Sequence, residues 1–578
     1  MQTRYVAIVT LALIVGVFIV APPLYFRYGS GLYQGVDFFR ADVEPYYLSS
    51  IQEVYDGHYF LGNIYSTDGK DKPSLTRQLL STWIVAGLGK ILKISAADIN
   101  LLTKFLFPFL LFLLVYALFY ELTQEWLYAL LAAVFIMLAP ATLEFFNPAS
   151  WWGIVTRGDF LASNYQFLSY SRPINPQVSS FFFYGYFLLL WKFLYGSKTG
   201  RAEKIYGALA AITLGLSFYT YFFVFSFISL FSVLLFFWFL ATKNYVQSKK
   251  IFYVGLGGIF LGIPAFINFT RAIASPYYLE AARRVGSIKQ HTFIFSKVWW
   301  GTLAAFLLSY RKIENPKLKI FIIFFLFTAF ILTNQQLLTG SSIPVPQHYH
   351  WYYIAPVAGA VLIFLLLMYL RKFFSWKLMT LFAACLLIIF FWAGFLFQVK
   401  SYEFQKAYVI TEERYADVLG WLNSNTPKDA SVLANRTLQP LLTAYTHDNA
   451  YDHGGFNALL VSTDRIMHNF FIQTFLEGVD ATGAEDYFRK HRDLMGSLVY
   501  GEYWRQTRGC YGCFPDEILG KAVEDYKSFL KKDFISQLRI YQLDYIVWDK
   551  EMDPKWGIDR FFTKKTYQKD NIAVYSVL

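Results

Sequence analysis

Long apolar runs separated by short polar breaks fill the chain as far as about residue 400, and the pattern then changes. A bilayer core needs about twenty apolar residues per helix. Runs of that kind fall at Tyr5–Leu24, Leu101–Tyr120, Leu127–Phe145, Ser179–Tyr195, Ile205–Phe218, Tyr221–Leu240, Ile251–Phe269, Phe293–Leu308, Ile320–Thr333, Trp351–Leu370 and Leu378–Phe397. They predict an α-helical polytopic membrane domain, residues 1–400, with about eleven spans. The first run follows Met-Gln-Thr-Arg and resembles a signal peptide. It is long for one, and Pro22 and Pro23 replace a small-x-small cleavage site, so an uncleaved helix is expected.

The polar breaks carry an orientation. Lys198, Arg201 and Lys204 share one short connection, and Lys243, Lys249 and Lys250 another. Arg311, Lys312, Lys317 and Lys319 form a third cluster; Arg371, Lys372 and Lys377 form a fourth. With Arg4 at a cytoplasmic N-terminus, all four fall on the cytoplasmic side, as the positive-inside rule requires. The other side then holds a long first loop (25–100), the connection Phe146–Gln177, two shorter loops and the whole tail. Within the first loop, Leu80, Trp83, Ile84, Leu88, Ile91 and Leu92 repeat at helical spacing. That is an amphipathic helix, lying in the membrane interface or packed within the protein. The expected location is a plasma (inner) membrane, with an extracytoplasmic tail.

From Ser401 the composition is that of an ordinary globular domain (401–578). Tyr415–Asn425, Arg465–Glu477, Glu485–Leu494 and Asp516–Leu530 read as helices. Ala430–Ala434, Leu543–Trp548 and Ala573–Val577 read as short buried strands. Their alternation predicts an α/β layer domain.

Composition agrees: 56% of residues are apolar, 20% aromatic and 16% charged, where soluble domains carry about a quarter charged. The net charge of +12 does not indicate nucleic acid, because the basic residues sit between apolar runs and form no recognition helix or aromatic-basic platform. Of three cysteines, Cys385 lies in an apolar run and is expected in the core. Cys510 and Cys513, in Cys-Tyr-Gly-Cys, are read as a local disulfide in preference to free thiols or a zinc site.

The densest polar constellation opens the first loop: Gly35-Val-Asp-Phe-Phe-Arg-Ala-Asp-Val-Glu-Pro-Tyr-Tyr47. Asp37, Asp42 and Glu44 follow directly on a membrane helix, where carboxylates are costly unless hydrated or used. One of them can take a proton from an attacking hydroxyl or amine. They can also hold a hard divalent cation, Mg or Mn, or simply pair with Arg40. Arg157, Asp159 and Arg172 fall in the second long loop, where an arginine can fork onto phosphate oxygens or anchor to headgroups. Arg271, Glu280, Arg283 and Arg284 crowd a third loop; some of them are expected to meet lipid headgroups, and Arg271 is also a substrate-binding candidate. His348 and His350, in Pro-Val-Pro-Gln-His-Tyr-His-Trp, are candidates for a sugar, a pyrophosphate or a metal, though two residues apart they cannot both face one way on a helix.

This arrangement resembles the C-type (GT-C) membrane glycosyltransferases, whose members include protein O-mannosyltransferases, aminoarabinose transferases and oligosaccharyltransferases. The shared features are one helix, a long external loop opening with acids and a Tyr pair, further helices and an external α/β tail. Asp42 precedes Tyr46 by four and Glu44 precedes Tyr47 by three, while Val43 separates the two acids that are adjacent in some relatives. The tail segment Leu419-Gly-Trp-Leu-Asn-Ser-Asn-Thr-Pro-Lys-Asp-Ala430, with Ala444-Tyr-Thr-His447, is also similar to tails in the superfamily. The resemblance implies transfer of a sugar from a polyprenyl-phosphate-linked donor to a glycan, lipid or protein acceptor on the outer face. It implies a first-loop carboxylate as base and leaves the metal undetermined. A transporter or lipid flippase is the alternative. It is opposed by the scarcity of ionisable residues in the spans, Glu144 excepted, and by the lack of a repeated half. A noncatalytic scaffold is a third reading.

Overall fold

The computed structural model describes residues 2–38, 44–72, 79–147, 153, 167–196 and 200–577. Each apolar run of the sequence falls on a helix. α1 (Gln2–Gly29) continues through Pro22 and Pro23, which membrane helices tolerate. The first loop contains α2 (Glu44–Asp56) and α3 (Leu79–Leu92), and α4 (Ala96–Thr123) and α5 (Trp126–Met137) follow. Next come α6 (Gln177–Trp191), α7 (Gly200–Ser217), α8 (Phe222–Ala241), α9 (Tyr245–Ile273), α10 (Tyr278–Arg284), α11 (Lys297–Ser309), α12 (Pro316–Thr333), α13 (Ala355–Leu370) and α14 (Trp376–Glu413).

Among the described residues, eight helices are long and apolar enough to cross a membrane, and the chain is a multi-pass membrane protein. Three of the expected spans fall short of that standard. α5 has 12 residues and α11 has 13. α7 opens with Arg201, Glu203 and Lys204 in its first turns.

The tail carries a five-stranded sheet in the order β2-β1-β3-β5-β4, formed by β1 (Ser431–Leu433), β2 (Asn449–Ala450), β3 (Tyr545–Asp549), β4 (Lys565–Lys569) and β5 (Ile572–Ser576). β1 pairs parallel with β2 and β3; β5 pairs antiparallel with β3 and β4. The three strands expected from the sequence are β1, β3 and β5. The expected helix Asp516–Leu530 forms with those bounds and buries Leu519, Ala522, Val523, Tyr526 and Phe529, one face of a 3.6-residue repeat. Cys510 and Cys513 form the local disulfide.

Two large apolar cores, beside a small one of Phe26, Phe38, Phe167 and Val409, divide the described residues. One is the helical core of the apolar spans, centred on α5. The other joins Val432, Leu433, Ile546 and Val574 of the sheet to Leu48, Ile51 and Val54 of α2, Val85 and Ala86 of α3, and Ile99 of α4. The first loop therefore packs into the tail. Polar contacts fasten the same junction. Lys70, buried, meets Glu53 at 2.7 Å and Asp429 at 2.8 Å, and the Ala450 amide donates to the Tyr65 carbonyl at 2.6 Å.

Three details differ from expectation or decide between readings. α3 buries its small face (Ser81, Thr82, Val85, Ala86, Gly89) and leaves Trp83, Ile84, Ile91 and Leu92 exposed. Its bulky apolar stripe thus points away from the protein, as an interfacial helix requires. Cys385 is exposed on α14, not in the core, because it sits on the outward face of that helix. Arg284 does not reach toward headgroups. It is 3% exposed and donates to the carbonyls of Asn457, Leu459 and Val461 and to Thr463 Oγ1, tying the third loop to the tail.

Candidate active site

The site forms where the C-terminal end of α1 meets the N-terminal ends of α4, α6 and α13. Ser95 caps α4, accepting from the Asp98 amide at 3.1 Å and donating to the Asp98 carboxylate at 2.7 Å. That fixes Asp98 in the first turn, where it meets Arg27 of α1 at 2.6 Å. The same guanidinium reaches Asp37 at 2.9 Å. Asp37 is 5% exposed, and its backbone N–H donates to the Tyr445 hydroxyl of the tail at 2.6 Å. Burial raises the Asp37 carboxyl to about 7; Arg27 opposes the rise and Glu44 adds to it. A carboxylate with that affinity for protons is poised to exchange one near neutrality.

Glu44 opens α2 and is fully buried. Its Oε1 lies 2.5 Å from Lys104 Nζ and accepts from Asn100 Nδ2 at 2.7 Å. One turn along α2, on the same face, stands Tyr47. The Arg172 guanidinium lies over its ring, 5.5 Å from the centroid, and 5.6 Å from that of Tyr352, to whose hydroxyl it donates. Burial pushes the Tyr47 phenol up to about 12, so it stays protonated. Two residues beyond Arg172, the buried β-branched Ile174 holds φ at 61°. Side chains of that type rarely adopt the left-handed region, and such strain gathers at functional sites.

The two histidines part company. His348 Nδ1 bonds the Tyr221 hydroxyl, and its ring lies 5.2 Å from that of Tyr352, so it joins the Arg172 cluster. His350 turns to Ser296 Oγ at 3.2 Å. Arg271 is exposed on the last turn of α9, with no ion pair among the described residues. Asp42, Arg157 and Asp159, and Arg40 with them, lie outside the described residues.

Of the expected site residues, then, Asp37, Glu44, Arg172 and His348 converge. The sequence reading missed Arg27, Asp98, Asn100 and Lys104. Lys104 had a signal, as an ionisable residue inside an apolar run. Tyr445 had none. Among the described residues, no group of three His, Cys, Asp or Glu side chains is placed to hold a metal ion. The donor set explains why: Asp37 is engaged by Arg27, and Glu44 by Lys104 and Asn100. These two carboxylates do not fit a divalent cation in this arrangement.

Fold and site together define a polytopic helical membrane protein with an α/β tail docked over a buried acid–arginine site. No family model and no curated protein matches the chain. Among solved structures, the apo oligosaccharyltransferase of Archaeoglobus fulgidus is 11% identical, with a TM-score of 0.48, over 95% of this chain and 70% of its own. ArnT of Cupriavidus metallidurans in the apo state is 11% identical, with a TM-score of 0.48, over 100% and 98%. The same protein bound to undecaprenyl phosphate is 10% identical at the same TM-score.

Proposed function

We propose that the chain is a membrane glycosyltransferase that moves a sugar from a polyprenyl-phosphate-linked donor to an acceptor on the extracytoplasmic side. The observation that carries this reading is the convergence of two buried carboxylates and a buried guanidinium at one end of the helices. Tyr47 links Glu44 on one helix face to Arg172. The four basic clusters of the sequence put this end, with the tail, outside.

In this reading an acceptor hydroxyl or amine attacks the anomeric carbon of the donor. The new bond forms there as the bond to the phosphate oxygen breaks, and the polyprenyl phosphate leaves with the electron pair. Arg172 faces the charge that grows on that phosphate, where a fixed guanidinium in a dry site acts most strongly. Asp37 takes the acceptor proton, since its environment sets its proton affinity near neutrality. Glu44, held by Lys104, fixes α2 and therefore the Tyr47 platform under Arg172.

The test uses full-length protein in liposomes with fluorescent polyprenyl-phosphate hexoses, and envelope glycan, lipid and protein fractions as acceptors. Asp37→Asn and Arg172→Gln are expected to abolish transfer while the protein stays folded. Asp42→Asn and Glu44→Gln belong in the same series. Full transfer by Asp37→Asn rules out the proposed base, and full transfer by all three acid variants rules out the acid site. Movement of labelled lipid between leaflets without any covalent product favours the transporter.

A further inference from the structure

We infer that Glu413 and Tyr445 are positioning residues for Asp37, so that the end of α14 and the tail are working parts of the reacting site. The inference rests on the reading of Asp37 given above.

α14 has 38 residues, about 57 Å at 1.5 Å per residue, against a hydrocarbon core of about 30 Å. Its last turns therefore stand clear of the membrane, and they end at Glu413. This side chain is only 3% exposed. Its Oε2 accepts from the amides of Gln34 at 2.9 Å and Val36 at 3.2 Å. Among the described residues no cation pairs with it. Neighbouring backbone amides converging on one carboxylate oxygen solvate an anion with backbone alone. Here the anion belongs to the protein, and its effect is to hold the backbone on both sides of Gly35, in the stretch that carries Asp37.

Two further contacts fix that stretch. Gly35 has φ +144°, and a Cβ at this position would stand 3.1 Å from Ala416 Cβ, at the start of the next helix. The Asp37 amide donates to Tyr445 at 2.6 Å. The backbone of residues 34–37 is thus held from the tail side, while the Asp37 carboxylate is held from α1 by Arg27. A general base works only within hydrogen-bond reach of the proton it takes, about 2.6–3.2 Å. A misplacement of about 1 Å can cost about 100-fold in rate. Neither Glu413 nor Tyr445 needs to touch substrate to control that distance.

The experiment compares Glu413→Ala, Glu413→Gln and Tyr445→Phe with wild type in full-length protein in liposomes. Glu403→Ala, an exposed charge on the same helix, is the control. For Glu413→Ala, kcat is expected to fall about 100-fold with KM within about threefold, because transition-state geometry is lost and ground-state binding is not. Glu413→Gln keeps an acceptor oxygen and is expected to recover part of the loss; Tyr445→Phe falls between. Hydrogen exchange at the amides of residues 34–37 is measured on the same samples, and is expected to rise in Glu413→Ala while exchange in α2 stays unchanged. Wild-type kcat in folded Glu413→Ala overturns the inference, whatever the exchange shows. So does unchanged exchange at residues 34–37. Should wild type itself transfer no sugar, the glycosyltransferase reading fails separately, and the exchange result alone decides whether Glu413 holds the loop.

Discussion

Replacing Lys104 with Met removes the cation that faces Glu44 at 2.5 Å without changing side-chain length much. Both side chains are almost completely buried, at 4% and 1% exposure, so water does not replace the lost partner. Asn100 still donates to the same oxygen, but a neutral amide does not balance a charge. Breaking one half of a buried ion pair typically costs about 3–5 kcal/mol. At about 1.4 kcal/mol per tenfold, that raises the open fraction of α2 by roughly two to three and a half orders of magnitude. Hydrogen exchange of the amides in Glu44–Asp56 reads this opening directly. The double variant Glu44→Gln with Lys104→Met removes both charges and is expected to recover most of the loss, giving a large coupling energy in the cycle. Exchange in Lys104→Met within about tenfold of wild type would refute the reasoning, because the pair would then be worth no more than a surface contact.

Three further outcomes are expected. Asp37 and Glu53 both have folded-state proton affinities raised to about 7 by burial, so each folded form holds a proton that the unfolded chain has already lost. Their contribution to stability is therefore complete below the ordinary carboxylate range and declines as pH rises toward about 7; Asp37→Asn is expected to flatten part of that decline in melting curves taken from pH 4 to 8. Arg284→Ala, which leaves three carbonyls without their donor, is expected to lower the melting temperature and to expose the 457–463 segment to protease, with unchanged cleavage as the contrary result. Replacing Cys510 and Cys513 with Ser opens a very short loop, so the tail should lose only about 2 kcal/mol and transfer should persist; loss of transfer would place the disulfide in the site.

The helices were legible because a membrane span must be apolar along its whole length, and that signal survives without knowledge of the packing. The acids of the first loop and Arg172 were legible for the complementary reason: charge next to a span is costly and therefore conspicuous. What sequence could not supply was partnership. Lys104 reads as one polar residue in an apolar run until Glu44 is seen 2.5 Å away. Arg284 reads as one basic residue of a crowded loop until its acceptors appear 173 to 179 positions later in the chain. His348 and His350 were separable in advance by helical spacing, but not assignable, since their neighbours Tyr221 and Ser296 cap two different helices, α8 and α11. The α3 stripe was visible as a pattern, and only the packed face decided which way it points.

The second apolar core has a consequence for how the protein is made. Its walls come from residues near both ends of the chain, such as Ile51 and Tyr65 on one side and Val432 and Ile546 on the other. Synthesis runs at about 5–20 residues per second, so the first loop waits tens of seconds for its counterpart. During that wait Leu48, Ile51 and Val54 have no tail to cover them. The first part of the protein to be delivered is thus among the last to fold. Ribosome-stalled chains ending near residue 400 should engage chaperones through this loop, and release them only when the tail arrives.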